Sequence, residues 1–546
     1  MIILDSKNQA LINQSIACCK RNVTMPRPYL KNIDHIIEKP NLNHHKKGVF
    51  ILHDQLNLDV WPDWVKQEKP LLIFMESRKK GEEIPHHKQK ATYILSSMRH
   101  FALDCYDSGF EVLYHSTEGH FDEGLKEIMD LWEGSLTFMT PSEWGSRKRL
   151  RCVKDKCSRR VEEIPNGFFL VDPDKWIEKI EPGYRMEYFY RDMRRQTGFL
   201  MNGDKPEGGE WNYDEQNRKP LPKNHPVPEI KTFEPDEITK EVMEMIEDYF
   251  PDHFGKMKNF HYAVTRDQAL ELLVQFIEER LDEFGPYEDA LKTDDHKLFH
   301  SQLSVYLNNG LLHPKEVCEA AILTYENGNA RLNSVEGFIR QIIGWREFIR
   351  IYYEAMMPDA RNANHFGFTN KLPKMYWSGK TKLNCMEQCL RPVIEDGYSH
   401  HIQRLMVLSN FSNLTETDPR ELNMWFWFAY VDAYEWVELP NVLGMSTYAD
   451  GGVLASKPYV SSGNYINKMS DYCKNCHYSV TKKTGEKACP FNYLYWNFVD
   501  KQRDTFNDSG RVNFMVNMFD NKKTENEKAE IRESTEKFLN KLERES

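Results

Sequence analysis

The sequence contains no run of eighteen apolar residues, so no transmembrane span is expected. It also lacks an excess of positive charge. Its 72 Lys and Arg against 83 Asp and Glu leave a net charge of -11, which argues against a generally basic coat for nucleic acid but leaves room for a local basic groove. The opening "MIILDSKNQALINQSIACCKRN" has no positive region followed by a continuous apolar stretch, so no secretory signal is read and a cytoplasmic location is expected. There is no G-x-G-x-x-G fingerprint, no internal repeat and no low-complexity tract. A regular, even-numbered cysteine framework is missing too. The eleven cysteines are irregularly spaced, which suits metal ligands or core thiols in a reducing compartment better than disulfides.

What is present is a chain of 546 residues, long enough for two or more domains, each with a full core. Residues 1–47 are polar and weakly patterned and are expected to be an ill-ordered extension. From Gly48 the pattern changes. "GVFILHDQL", "KPLLIFMES", "EVLYHS", "SLTFMTP" and "GFFLVDP" read as short buried strands, alternating with helical stretches such as "HHKQKATYILSSMRHFALDCYDSG" and "DEGLKEIMDLW". That alternation predicts an α/β domain over 48–180 with a Rossmann-like parallel sheet. A bridging region at 181–235 ends in a Pro- and Gly-rich linker, and from 236 to 520 the periodicity is almost wholly helical. The charged tail at 521–546 reads as a helix with a solvated face.

Four segments carry chemistry. In "SDYCKNCHYSVTKKTGEKACPFNYLYW", Cys473 and Cys476 have the C-x₂-C spacing that lets two thiolates reach one metal centre, and Cys489 follows with a Pro behind it. That ending suits iron–sulfur runs more than zinc ribbons, and a fourth ligand has to come from elsewhere. In "HSQLSVYLNNGLLHP", Ser301 and Ser304 fall on one face of an expected helix. Hydroxyls there can hold a phosphate oxygen, although a plain amphipathic helix accounts for the pattern equally. In "EGFIRQIIGWREFIR", Trp345, Arg346 and Glu347 interrupt an apolar helix with groups seldom buried alone; an Arg–Glu pair at a helix interface is the simpler account. In "HHIQRLMVLSN", Arg404 follows His400 and His401, whose side chains point about 100° apart on a helix, so one of the two is expected to be exposed.

Together these segments resemble the photolyase/cryptochrome family, and most closely its bacterial iron–sulfur branch of photolyase-related proteins and (6-4) photolyases. "MEYFYRDMRRQTGFLMNG", "VEGFIRQIIGWREF", "HHIQRLM", "DAYEWVELPNVLGMS", "SGNYINKMSDYC" and "ACPFNYLYW" are similar to that branch nearly word for word, and the resemblance runs from about Gly48 to about residue 505. It implies an all-α C-terminal domain that binds FAD and carries a [4Fe–4S] cluster. Cys385, in "YWSGKTKLNCMEQC", takes the place of the fourth cluster ligand beside Cys473, Cys476 and Cys489, with Cys389 as a nearby competitor. Ser304, Trp345, Arg346, Arg404, Asp432, Glu438 and Asn441 take cofactor-binding places. Glu438 stands where classical photolyases carry Asn, and this agrees with the iron–sulfur branch.

The resemblance further implies a UV-damaged dipyrimidine in DNA as substrate, flipped out of the duplex. His401, supported by His400, would be the acid that a (6-4) product requires. Gln341 and Tyr434 would face the lesion, and Lys457, Lys468 and the Lys482–Lys483 pair would meet phosphates. Trp377, Trp425 and Trp427 are the expected electron-stepping residues. A ribityllumazine antenna in the α/β domain would meet Asp54, Gln55 and Ile94, although His53 and Lys80 depart from the family's pattern around that pocket. A monomer is expected. The alternative function is a cryptochrome-like blue-light receptor that keeps both cofactors and does not repair.

Overall fold

The computed structural model describes residues 27–545, apart from 158–159 and 511. Five strands, β1 (Lys47–Phe50), β2 (Leu71–Ser77), β3 (Val112–Thr117), β4 (Ser135–Met139) and β5 (Val161–Ile164), form a parallel sheet in the order β3-β2-β1-β4-β5. Val49 of β1 pairs with Leu72 on one side and with Thr137 on the other. The helices Lys88–Asp107, Phe121–Leu131 and Trp144–Lys156 are the crossovers. β2 is buried along almost its whole length, as a strand covered on both faces must be. Lys88–Asp107 ends at Gly109, whose φ of 82° turns the chain sharply toward β3.

In such a sheet the strand order reverses at β1, which creates a crevice beyond the carboxyl ends of β1 and β4. Here the helical domain docks against that edge. Arg350 donates to the carbonyl of Ser142 at 2.5 Å, the Tyr353 hydroxyl accepts from the Trp144 N–H at 2.8 Å, and Glu143 accepts from the Glu435 N–H at 3.0 Å. Among the described residues every element from Glu237 onward is helical. Its core gathers around Trp425, Tyr430, Phe411 and Phe491.

Three expectations from the pattern change. Residues of the polar N-terminal region form a short helix, Lys31–Ile36, whose Ile33 is buried with Leu30 and Ile37. The Lys31 N–H donates to Glu241 at 2.9 Å, fixing this helix to Glu237–Tyr249; residues 1–26 lie outside the described part. "GFFLVDP" is not a strand, and the fifth strand lies earlier, at Val161–Ile164. The N–H groups of Leu170 and Val171 donate instead to one Glu347 carboxylate oxygen, at 2.8 and 2.9 Å, so this apolar run crosses onto the helical domain. The charged tail helix, Glu525–Glu545, buries Ile531 and Thr535 and sets Phe538 against Phe411 and Tyr493. Its charge density conceals an apolar stripe.

Candidate functional site

Three π-helical stretches, Arg340–Arg346, Gln403–Ser409 and Pro440–Ser446, lie within the helical domain. A π turn widens the helix and re-aims its side chains, and such turns occur often at functional sites. Between them they carry Gln341, Trp345, Arg346, Arg404 and Asn441.

Arg404 and Asp432 meet as a bidentate pair, with both nitrogen–oxygen distances at 3.0 Å. Asp432 follows the C-terminus of Pro419–Ala429, and Asn308 holds it by donating to its carbonyl at 2.8 Å. Ser304 donates its hydroxyl to Asp432 Oδ2 at 2.8 Å, and the Arg404 Nε–H goes to the Ser399 carbonyl at 2.7 Å. The guanidinium also lies 4.1 Å from the centre of the Tyr430 ring. Burial opposes its charge, but Asp432 outweighs that effect and the Arg404 pKa is raised. Ser301 is not on the same helix face as Ser304. The helix begins only at Ser304, and Ser301 lies in the preceding turn, where its hydroxyl accepts from the Leu303 N–H.

Beside this pair stand three imidazoles. His300 and His400 are buried and stack with ring centres 4.4 Å apart, and His401 lies 5.2 Å from His300. The His401 side chain is 46% exposed, and its Nε2 lies 3.9 Å from Asp289. The surrounding protein desolvates it, and together with the Arg404 charge this pushes its pKa down to about 4. Burial likewise holds His400 and His300 well below the usual imidazole range. Gln341 donates to Glu288 at 2.7 Å, and burial pushes the Glu288 carboxyl up to about 8. At neutral pH this pocket therefore holds a protonated carboxyl beside neutral imidazoles.

On the other side, Glu438 is buried and its pKa is raised by burial. Lys90, buried on Lys88–Asp107, donates to the Trp427 carbonyl at 2.6 Å, and burial lowers its pKa to about 7. Tyr434 stacks on His53 with ring centres 5.7 Å apart. Both Glu438 oxygens, both His400 ring nitrogens, His300 Nε2, the Tyr434 hydroxyl and all three Arg280 nitrogens are buried with no hydrogen-bond partner in the protein. Native interiors seldom leave such groups unmatched. Those that lie near Arg404 and Asp432 are groups that a polar ligand could satisfy.

Trp345 donates to Asn441 Oδ1 at 3.1 Å, which joins two of the π stretches. Arg346 pairs with Glu347 at 2.6 Å and lies over the Phe169 and Trp436 rings at the domain junction. Asp54 accepts from the Ser142 hydroxyl and keeps Oδ1 without a partner, whereas both ends of the Gln55 amide are used, by the Leu52 N–H and the Met139 carbonyl. Ile94 packs against the core. Trp377 is 48% exposed and stacks on Phe428; Phe254 bridges it to the fully buried Trp425, which meets Tyr430 at 5.7 Å beneath Arg404. Trp427 meets the His86 ring edge-on, with ring centres 6.4 Å apart.

The four predicted thiols come together. Cys385, Cys473, Cys476 and Cys489 line one cavity with Gly463, Ile466 and Tyr472, and Cys389 is not among its lining residues. A Cβ on Gly463 would stand 2.8 Å from Cys489 Sγ, so the glycine is needed for this close approach. No three of the four sulfurs lie within 4.8 Å of one another. A single tetrahedral zinc with bonds of about 2.3 Å needs sulfurs roughly 3.8 Å apart, closer than this set is drawn together, while four thiols on one cavity are the donor set that an iron–sulfur centre would use.

Sequence reading missed His300, Glu288, Asp289, Lys90 and Arg280. Only His300 stood inside one of the segments read as carrying chemistry; Lys90 lay in a stretch read simply as a helix. The others are ordinary polar positions of amphipathic helices and turns until the fold buries them.

The two-domain architecture is that of the photolyase/cryptochrome fold. Superposition gives a TM-score of 0.56 with a cryptochrome of Synechocystis sp. PCC6803, at 12% identity over 91% of this chain and 99% of that one. A bacterial class III photolyase from Agrobacterium tumefaciens gives 0.53, at 15% identity over 86% of this chain and 93% of that one. Residues 49–262 match the deoxyribodipyrimidine photo-lyase-related protein family. A (6-4) photolyase of Agrobacterium fabrum is 44% identical over 474 residues, which are 85% of this chain and 93% of that protein. The chain belongs to the photolyase-related family.

Proposed function

We propose that the protein repairs UV-induced (6-4) dipyrimidine photoproducts in DNA under light, with FAD seated at Arg404–Asp432 and a [4Fe–4S] cluster held by Cys385, Cys473, Cys476 and Cys489. The observation that carries this reading is the set of buried, unpartnered polar atoms gathered around a desolvated Arg–Asp pair and a histidine cluster. It is supported by 44% identity, over most of both chains, to a protein named as a (6-4) photolyase. FAD, when bound and reduced, supplies the electron that light sends to the lesion.

The residues supply the rest. Arg404, kept charged by Asp432, would help to hold the flavin and supply positive charge to offset negative charge on it when reduced. Ser304 and Asn308 fix the orientation of Asp432. Burial raises the Glu438 pKa, so this carboxyl would be the one to hold a proton next to a bound flavin. His401 is the acid that moves a proton to the transferred group; it gains that proton once a phosphate-bearing lesion raises its low pKa. His400 orients it, and Gln341 and Tyr434 line the lesion's place. The row from exposed Trp377 through Trp425 to Tyr430 gives external electrons a way in. A ribityllumazine antenna is assigned to the α/β domain, with Asp54 Oδ1 as its polar contact.

The test is illumination of the reduced holoprotein with an oligonucleotide bearing one (6-4) lesion. Intact pyrimidines should return. Unchanged lesion with fully reduced flavin would make the protein a light sensor instead.

A further inference from the structure

A short segment joins the cysteine cavity to the histidine pocket. Residues 469–472, directly ahead of Cys473, bond to both walls of the pocket. On one wall, Gln403 Nε2–H donates to the Tyr472 hydroxyl at 3.2 Å, while Gln403 Oε1 accepts from the His400 N–H at 3.1 Å. Gln403 and Tyr472 are both completely buried. On the other wall, Asp471 Oδ1 accepts from the Thr293 N–H and from its hydroxyl, each at 2.9 Å, and the Leu291 N–H donates to the Met469 carbonyl at 3.0 Å. That second wall carries Glu288, bonded to Gln341, and Asp289, beside His401.

The helix that starts at Asn384 takes part in both connections. Asn384 donates to the Tyr472 carbonyl at 2.8 Å, next to Cys385, and Gln388 accepts from the Asp294 N–H at 2.9 Å. From Ser470 to Cys489 the chain has only one short 3₁₀ turn and isolated bridges. Such a loop has few backbone bonds of its own, so its position depends on what its side chains are tied to. Here those ties are the bonds of Asp471 and Tyr472 to the two walls and, at Cys473, Cys476 and Cys489, the cavity shared with Cys385.

We infer that Asp471 and Tyr472 transmit the order of the cysteine centre to the histidine pocket: Tyr472 and Gln403 are positioning residues for His400 and His401, and Asp471 is one for the 288–294 wall. The inference rests on the reading of the pocket and cluster given under the proposed function. It assigns the cluster a defined mechanical role, holding together two walls that come from segments about a hundred residues apart in the chain.

The experiment uses full-length, cluster-loaded, flavin-bound protein. Tyr472→Phe removes one hydroxyl; Asp471→Ala removes one acceptor, and Asp471→Asn restores it. Iron, labile sulfide and flavin absorbance are measured first and should equal wild type. Amide hydrogen exchange should then rise about tenfold at 399–404 in Tyr472→Phe and at 288–294 in Asp471→Ala, the change that loss of one buried hydrogen bond produces. Each variant should leave the other wall protected, and Asp471→Asn should return to wild-type exchange. The repair yield per photon on a (6-4) lesion should fall about tenfold in Tyr472→Phe.

Unchanged exchange at both walls with the centre intact overturns the inference. So does loss of iron together with protection, since the residues would then serve the centre alone. If the wild-type protein repairs nothing, the functional reading fails, and the exchange data still decide the positioning roles.

Discussion

The cysteine cavity and the histidine–arginine pocket solve different problems with the same helices. In the first, three of the four thiols come from seventeen consecutive residues and need one more from Cys385. Thiols brought together in this way are the residue type a soft-metal centre calls for, and few others would serve. In the second, working groups come from Lys90, Glu288, His300, Gln341, His400, Arg404, Asp432 and Glu438, contributed by both domains. None of them is unusual alone. The pocket exists because burial removes water from ordinary polar side chains and withholds their partners. The centre of thiols is defined by residue type, the pocket by environment.

That contrast can be broken from either side. The largest effect is expected from Cys385→Ala: if the thiols are one centre, the purified protein should lose nearly all of its iron and unfold at a lower temperature, because binding free energy at such a site is also folding free energy. Iron retained at the wild-type ratio would show that Cys385 is not a ligand. His401→Ala should lower the repair rate by roughly 10²–10⁴-fold, the usual contribution of a positioned proton donor, while flavin content stays unchanged. A loss under threefold would remove His401 from the chemistry.

Breaking the buried pair with Asp432→Asn leaves Arg404 uncompensated. It should cost about 3 kcal/mol in denaturant unfolding and release flavin. Equal stability and flavin content would mean that the pair is not desolvated. Gly463→Ala should cost about 1–3 kcal/mol through overpacking against Cys489 and reduce iron occupancy; a neutral result would mean the loop yields easily.

The smallest effect concerns pH. The Glu288 carboxyl, raised from its usual range to about 8, binds its proton more tightly in the folded chain. Its contribution is therefore fully present at low pH and fades as pH rises from the ordinary carboxyl range through about 8. Glu288→Gln, which keeps an acceptor for Gln341, should flatten the fall in melting temperature across that window. An unchanged slope would place the titration elsewhere.

Much of the architecture was legible in the order of residues. The alternation of apolar runs and helical stretches specified a parallel α/β domain, and the later 3.6-residue period specified helices, because covering a face imposes a repeat on the chain. "GFFLVDP" misled for the same reason that it could: a buried run bonded to Glu347 is as apolar as a strand. The tail helix misled in the opposite sense, its stripe of Ile531, Thr535 and Phe538 lying within a highly charged stretch.

The sequence by itself pointed to the family, through motifs that resemble it, and that resemblance in turn singled out the four thiols and the Arg404–Asp432 pair. Only the tertiary structure decided which carboxyl holds its proton more tightly, which histidines come together and which loop ties the two sites together. Those properties depend on desolvation and on contacts between distant segments, and neither quantity is carried by any local stretch of the chain.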